Sequence, residues 1–156
     1  MTPQFASYPS LADKTVFITG GASGIGAEMV RAFADQGAKV GFVDLDQKAG
    51  EALVEQAATS LAFEPCDLRD IDQLKSSFSK LSYRLGAATV LVNNAARDDR
   101  HGWQEVTPDY WDERQATNLR HQFFAIQAVA PGMISAGGGS IINMGSNSWW
   151  EAGGDM

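Results

Sequence analysis

Short apolar runs alternate along the chain with longer stretches in which apolar residues recur at helical spacing. The apolar runs predict five strands, at residues 16–18, 39–44, 60–63, 89–92 and 140–144. The fourth run shows no alternation of apolar and polar positions, which is typical of a strand that is covered on both faces. The pattern therefore predicts a sheet buried between two layers.

Helical spacing fills much of the sequence between these strands. Three amphipathic helices are indicated by the positions Ile25, Met29 and Phe33; Ala49, Leu53 and Ala57; and Ile71, Leu74, Phe78, Leu81 and Leu85. A longer helix is predicted to begin at Pro108, after the N-cap Thr107, and to run toward Met133. Pro131 is expected to end or kink it, because proline cannot donate the helical hydrogen bond.

Strands that alternate with helices in units of about 30 residues predict right-handed βαβ units and a parallel sheet. The expected fold class is α/β, a doubly wound parallel sheet of the Rossmann type with strand order 3-2-1-4-5. Ligands bind such a sheet outside the carboxyl ends of the strands, at the switch point between strands 1 and 4. Candidate site residues are therefore sought after each strand.

A glycine-rich turn at residues 19–26 joins the first strand to the first helix. Its glycines, Gly20, Gly24 and Gly26, have the spacing Gly-x-x-x-Gly-x-Gly. Small residues allow close approach of the backbone, and the helix N-terminus offers free N–H donors, so the turn predicts a pyrophosphate site. An ordinary tight turn is the alternative. A P-loop is not expected, because Ala27 and Glu28 stand where Lys and Ser or Thr are required.

Asp44 ends the second predicted strand, about 20 residues beyond the glycine turn, where an acid can accept hydrogen bonds from the adenosine ribose. Its charge would repel a 2′-phosphate, and Ala22, Ser23 and Leu45 offer no positive charge to bind one. The sequence therefore favours NAD over NADP. A solvated acid at a strand end is the alternative interpretation.

Composition narrows the expected partners. The 12 basic and 19 acidic residues give a net charge of −7, so neither nucleic acid nor an anionic membrane surface is expected as a partner. No apolar run is long enough to span a bilayer, and residues 1–13 carry no signal pattern, so a cytoplasmic location is expected. Cys66 is the single cysteine and is expected to be buried. No metal site is expected, since ligand spacings do not repeat.

The chain resembles the short-chain dehydrogenase/reductase family through five motifs in the family's order. They are the glycine turn 19–26, the pair Asp67-Leu68 after strand 3, residues 93–96, Asn118 in the long helix, and residues 141–146, which end in Ser146. Ala96 replaces a glycine of the family's third motif. The resemblance covers the chain from about residue 12 to its end.

The resemblance implies a role for each motif. It implies a cofactor cleft formed by Gly20, Ser23, Gly24, Ile25, Gly26, Asp44, Leu45, Asp67, Leu68, Asn94, Ala95 and Ala96. Asp67 and Leu68 would hold the adenine. Ser146 would hydrogen-bond the reacting oxygen, and Asn118 would bind a water of a proton relay through its backbone.

The family's general base is a tyrosine beyond the serine, and a following lysine lowers its pKa. Counted from Ser146, that position lies past Met156. We therefore expect residues 1–156 to be the N-terminal portion of a single dinucleotide-binding domain, with residues 1–12 as an arm. The chain alone is expected to be inactive.

Within the family, residues 94–101, 110–114, 118–121 and 145–149 are similar to bacterial NAD-dependent D-xylose 1-dehydrogenases. This resemblance implies oxidation of an aldose at its anomeric carbon to a lactone, with Asp98, Ser148 and Trp149 near the sugar. Sugars present hydroxyl edges and apolar faces, which suits that mixture of residues.

Two alternatives stay open. One is a dehydrogenase of the same family that acts on another secondary alcohol or ketone. The other is a non-catalytic NAD-binding module, if the chain truly ends at Met156. For a dehydrogenase of this family, the resemblance implies a homo-oligomer formed through the long helix from Pro108, to which Trp111, Phe123 and Ile126 could contribute.

Overall fold

The computed structural model describes residues 6–57, 61–99, 101–147 and 150. Its strands are β1 (Thr15–Thr19), β2 (Lys39–Asp44), β3 (Leu61–Pro65), β4 (Val90–Asn93) and β5 (Ser140–Asn143). They form one five-stranded sheet in the order β3-β2-β1-β4-β5, and each neighbouring pair is parallel. The predicted fold class and strand order are therefore confirmed.

Within the part of the chain that the structure describes, five α-helices connect the strands. They are α1 (Gly24–Asp35), α2 (Gln47–Gln56), α3 (Ile71–Leu85), α4 (Pro108–Gln115) and α5 (His121–Ser135), and a π-helical turn (Ala116–Arg120) joins the last two. Side-chain caps fix three of the starts. Asp46 accepts from Ala49 N, Asp70 from Asp72 N and Gln73 N, and Thr107 from Tyr110 N. Each cap satisfies a backbone donor that the first helical turn leaves free.

The sheet is covered on both faces. On one face Val16, Ile18 and Phe42 pack with Val30 of α1 and Leu53 of α2. On the other face Phe17 and Leu91 pack with buried residues of α3 and α5, namely Leu74, Phe78, Leu81, Ala125, Val129 and Met133. The alternation of adjacent strand residues between the two cores follows from the two-residue period of a strand. The edge strand β5 is less covered, and Ile141 and Ile142 are 42% and 44% exposed.

The apolar spacing that predicted α1 marks its buried side only in part, since Met29 and Phe33 pack partly buried against the core. The buried residues of α1 are Gly26, Ala27, Val30 and Ala34, whereas Ile25 is 69% exposed. Small residues on the buried side let α1 approach the sheet closely. Ile25 is left at the carboxyl edge of the sheet, where a ligand is expected.

Pro131 does not end the last helix, because α5 continues through it to Ser135. The helix loses one backbone hydrogen bond at the proline. Val129 and Met133, on either side of it, are buried in the core, and this packing holds the final turn in place. Strand β3 also extends beyond the predicted Phe63, to Pro65, and the predicted position Ser60 lies outside the described residues.

Candidate functional site

The glycine turn folds tightly against the end of β2. The N–H groups of Gly20 and Gly21 donate to the carbonyl oxygen of Val43 at 2.8 and 3.2 Å, and Gly20 has a φ of +67°. A Cβ at Gly26 would overlap the carbonyl oxygen of Gly20 and lie 2.7 Å from Asn94 Nδ2. The turn therefore depends on the absence of a side chain at Gly26, as the sequence motif predicts.

The N-terminus of α1 opens onto the carboxyl edge of the sheet. Ser23 is the N-cap, but its side chain accepts no hydrogen bond from the helix, and no acidic residue lies in the first turn. The backbone donors of this turn and the positive end of the helix dipole therefore suit an anionic ligand.

Thr19 and Asn94 join the ends of β1 and β4. The N–H groups of Asn94 and Ala95 both donate to Thr19 Oγ1 at 3.1 Å, and Asn94 Nδ2 donates to the carbonyl oxygens of Thr19 and Gly20 at 3.1 and 2.9 Å. Thr19 is fully buried. Sequence reasoning gave Thr19 no role of its own, although a hydroxyl residue at a strand end is a visible signal.

Asp44 lies where the sequence predicts an acid beside the glycine turn. Its Oδ2 accepts from Ala22 N at 2.9 Å, and its Oδ1 accepts from Asp46 N at 3.0 Å. The half-buried carboxylate is thereby held in one orientation at the end of β2. The neighbouring Leu45 is 69% exposed and lies at the same edge.

A cavity of about 470 Å³ follows this edge of the sheet. Its lining residues are Gly20, Ser23, Ile25, Gly26, Asp44, Leu45, Cys66, Asp67, Leu68, Arg69, Asn94, Ala95, Ala96, Arg97, Glu113 and Thr117. The residues predicted from the sequence for a cofactor cleft are thus brought together, except that Gly24 does not line this cavity. Gly24 has a φ of +52° and faces open space. Cys66 is buried as predicted, and burial raises its pKa to about 11.

Asp67, the residue expected to hold adenine, is engaged by an arginine that sequence reasoning missed. Arg69 donates to the Asp67 carboxylate from Nε at 2.9 Å and from Nη2 at 2.6 Å. These bonds hold the pKa of the Asp67 carboxyl below its ordinary value. The N–H of Asp67 donates to Gln73 at 2.7 Å, and Leu68 packs into the core beside the cavity. The pair Asp67 and Leu68 therefore forms one wall of the cleft.

Asn118 lies in the π-helical turn, a feature the sequence does not predict. Its Oδ1 accepts from Arg97 N at 2.8 Å, and its Nδ2 donates to the carbonyl oxygen of Arg97 at 3.0 Å. Its own carbonyl oxygen accepts from Gln122 Nε2 at 2.9 Å. The side chain thus fastens the segment after β4, and π turns of this kind are frequent at functional sites.

The residues predicted to face substrate are described only in part. Ser146 is exposed three residues beyond the end of β5, and the preceding Met144 donates its N–H to the carbonyl oxygen of Asn93 at 2.9 Å. The segment that carries Ser146 therefore leaves the sheet beside the end of β4. Asp98 is exposed on the segment after β4. Ser148 and Trp149 lie outside the described residues.

The two histidines have different surroundings. His121 of α5 is fully buried, and this burial lowers its pKa. His101 lies on the segment after β4, where its Nδ1 is 2.9 Å from the hydroxyl of Tyr110. The part of the chain that the structure describes holds no group of His, Cys, Asp or Glu arranged to bind a metal ion. In that same part, no helix combines the length and apolar character needed to cross a membrane.

Three relatives share most of this chain. A D-xylose 1-dehydrogenase of Caulobacter vibrioides is 49% identical over 147 residues, which make up 92% of this chain and 58% of that protein. A probable galactose dehydrogenase of Rhizobium meliloti is 47% identical over 150 residues, or 94% of this chain and 59% of that protein. A D-threitol dehydrogenase of Mycolicibacterium smegmatis is 34% identical over 138 residues. The chain spans less than two thirds of the length of these relatives.

A solved structure shares the fold of this chain, and a family model matches its sequence. The crystal structure of gox2181 superposes with a TM-score of 0.86 at 24% sequence identity, over 93% of this chain and 59% of that one. The model of the short chain dehydrogenase family matches residues 14–152, which include all five strands and the cleft at their carboxyl ends. The chain therefore belongs to the short-chain dehydrogenase family.

Proposed function

We propose that this protein is an NAD-dependent sugar dehydrogenase, which transfers a hydride from the anomeric carbon of a D-xylose-like aldose to NAD and yields a lactone. The observation that carries the cofactor assignment is the Asp44 carboxylate, held 2.9 Å from the N–H of Ala22 inside the cleft. The substrate class is supported by the names of the two relatives that are 49% and 47% identical.

The cleft fits a dinucleotide by its shape and by its donors. The glycine turn packs closely against the segment after β4, since a Cβ at Gly20 would lie 2.8 Å from Ala95 Cα, and a larger residue would force the two apart. The N-terminus of α1 would bind the pyrophosphate, and Asp44 would accept hydrogen bonds from the adenosine ribose. Because Asp44 is negatively charged and Leu45 is apolar, a 2′-phosphate would be repelled there.

Bound NAD would supply the hydride acceptor at the nicotinamide end of the cleft. Ser146 would donate a hydrogen bond to the reacting oxygen of the sugar and stabilise charge on it. Asn118 would position the relay water through its carbonyl oxygen, and its side chain would hold Arg97 beside the cleft. Asp98, Ser148 and Trp149 are the proposed sugar contacts.

The proton of the sugar hydroxyl requires a general base that these residues do not provide. The sequence has three tyrosines: Tyr8, Tyr83 and Tyr110. None of them lines the cavity, and neither does a lysine. Tyr83 is 93% exposed on α3, and Tyr110 is bonded to His101. We therefore propose that the 156 residues alone bind NAD without turnover.

The test uses the protein expressed from its full reading frame, with D-xylose and D-galactose as substrates and either NAD or NADP. We expect formation of reduced nicotinamide with NAD. Asp44→Asn keeps an acceptor for the N–H of Ala22 but removes the charge, so the preference for NAD over NADP should fall by at least about tenfold. Asp46 is exposed and caps α2, so Asp46→Asn is the matched control and should leave the preference for NAD over NADP unchanged.

Two results would count against this function. A protein that reduces neither cofactor with any pentose or hexose is not a sugar dehydrogenase, and activity confined to another alcohol would reassign the substrate. A preference for NAD that survives Asp44→Asn unchanged would remove the proposed role of Asp44.

We also propose a cytoplasmic homo-oligomer that is formed through the helical run from Pro108. Trp111, Leu119 and Phe123 are 59%, 62% and 64% exposed along this run, and so much exposed apolar surface is typical of an interface. Ile126, which packs partly against the chain's own core, would contribute less to such an interface. Light scattering of the full protein tests this, and a monomer would contradict it.

A further inference from the structure

We propose that Arg114 is a positioning residue, which holds the segment after β4 against α4 and thereby shapes the sugar end of the cleft. This inference rests on the proposed function, since it assigns the sugar to that end. Arg114 does not line the cleft itself. It acts through Asp99 and through its contact with Tyr110.

The surroundings of Arg114 differ from those of an ordinary surface arginine. Its side chain is only 12% exposed, whereas those of Arg31, Arg69 and Arg84 are 47%, 44% and 47% exposed. Its guanidinium is paired with Asp99 and lies 4.6 Å from the ring centroid of Tyr110. A planar guanidinium can stack on an aromatic ring and bind a carboxylate at the same time, which an ammonium cannot.

Tyr110, one helical turn before Arg114, holds a second point of the same segment. Its hydroxyl lies 2.9 Å from His101 Nδ1, and the two rings are in contact with their centroids 4.5 Å apart. His101 Nδ1 is also 2.8 Å from the carbonyl oxygen of Asp99. Arg114 and Tyr110 therefore fix Asp99 and His101 together on one side of α4.

The contacts of Arg114 and Tyr110 with Asp99 and His101, which we call the arginine clamp, continue along the helix toward the cleft. Glu113 lies 3.1 Å from Arg114 Nη1 and is within 3.7 Å of Arg97 and 3.5 Å of Arg69. One turn further, Asn118 binds both backbone groups of Arg97. Arg69, Arg97 and Glu113 line the cavity. Movement of Asp99 away from α4 would therefore disturb a continuous row of ion pairs that ends at the cleft wall.

Removal of Arg114 would leave Asp99 paired only with Arg97, 3.1 Å away, which belongs to the same segment and cannot tie Asp99 to α4. The segment after β4 would then be released at Asp99, while Asn118 would still hold Arg97 closer to the nicotinamide end. We expect this to affect sugar binding more than NAD binding, because Arg114 pairs with Asp99 and Glu113. Arg69 would keep its own bonds to Asp67 in the cofactor cleft. Displacement of a substrate contact by about an ångström can lower catalytic efficiency by one to two orders of magnitude.

The test compares Arg114→Met and Arg114→Lys in the protein from its full reading frame, with Arg84→Met as the matched control. Arg84 of α3 pairs with Glu64 of β3, and neither residue lines the cleft. We measure KM and kcat for D-xylose, the Kd of NAD, and hydrogen exchange at the amides of Asp99 and His101. Arg114→Met should raise KM for the sugar at least about tenfold and accelerate exchange at both amides, with less than about a threefold change in the Kd of NAD.

Arg114→Lys keeps the charge next to Asp99 but loses the stacking on Tyr110, so we expect it to recover part of the sugar affinity. If the NAD affinity falls as much as the sugar affinity, or if exchange at Asp99 and His101 is unchanged, the proposal is overturned. If the unmodified protein oxidises no sugar, the proposed function fails. The exchange measurement then still decides whether Arg114 holds the segment. Should Arg114→Met fail to fold, the lysine variant carries the same comparison.

Discussion

Replacement of Gly26 by alanine tests the dependence of the cleft on its glycine turn. The new Cβ would overlap the carbonyl oxygen of Gly20 and lie 2.8 Å from its carbonyl carbon. Ordinary contact begins near 3.4 Å, so this carbon must move by at least about 0.6 Å and the oxygen by more. The obstacle is backbone, which a side-chain rotation cannot relieve. The hydrogen bond from Asn94 to Gly20 would be lost with that movement.

The expected cost combines two terms. Overpacking of a tight site costs about 1–3 kcal/mol, and the lost hydrogen bond adds about 1 kcal/mol. The free variant can relax to avoid this strain, whereas the NAD-bound turn cannot. If the bound state therefore carries the total of about 2–4 kcal/mol, the Kd of NAD rises by a factor of about 30 to 700. Gly24→Ala is the control, because a Cβ at Gly24 meets open space and only the positive φ of +52° is unfavourable. That strain costs about 1–2 kcal/mol.

Isothermal titration with NAD gives the Kd of both variants, and thermal unfolding followed by circular dichroism shows whether the fold survives. We expect Gly26→Ala to weaken binding at least about tenfold more than Gly24→Ala does. The reasoning would be refuted by a Gly26→Ala protein that binds NAD as tightly as the unmodified protein and melts at the same temperature.

Two buried titratable groups give further predictions. Burial lowers the pKa of His121 in the folded state, so the stability tied to the neutral ring is complete above the ordinary value of 6.5. It is lost as the pH falls below 6.5 toward the folded pKa, at no more than about 1.4 kcal/mol per pH unit. His121→Leu should flatten this dependence in denaturant titrations across that range, and an unchanged slope would contradict it. The thiol of Cys66, with a pKa of about 11, should resist iodoacetamide at neutral pH until the protein is unfolded, whereas rapid labelling of the native protein would contradict its burial.

The sheet and most of the cleft follow from local patterns in the sequence. Each strand is an apolar run, and the glycine turn and Asp44 stand next to strand ends, where the parallel topology brings ligand groups together. Gly20 and Gly26 are informative because a side chain at either position would collide with neighbouring backbone. The constraint is local, and it leaves a trace that a single sequence can show.

Other parts of the site depend on contacts between distant segments. The π turn around Asn118 is set by the fit between a helix and the backbone of Arg97, and no residue type marks it. The ion pairs of Arg69 and Glu113 join side chains that are 44 positions apart. Pro131 was expected to end or kink the helix, and α5 continues through it. The core packing on either side of the proline cannot be read from the proline itself.

The π turn also sets the angular phase between the two halves of the last helical run. An α-helix advances by about 100° per residue, so one residue taken up in a wider turn rotates everything after it by roughly that angle. Before the turn, Tyr110 and Arg114 face the segment after β4, and after it Val129 and Met133 face the core. The inserted residue thus lets one helical run satisfy two directions that an uninterrupted helix would tie together. Deleting a single residue within the turn would couple them again, so that either the core residues or the arginine clamp would lose their partners.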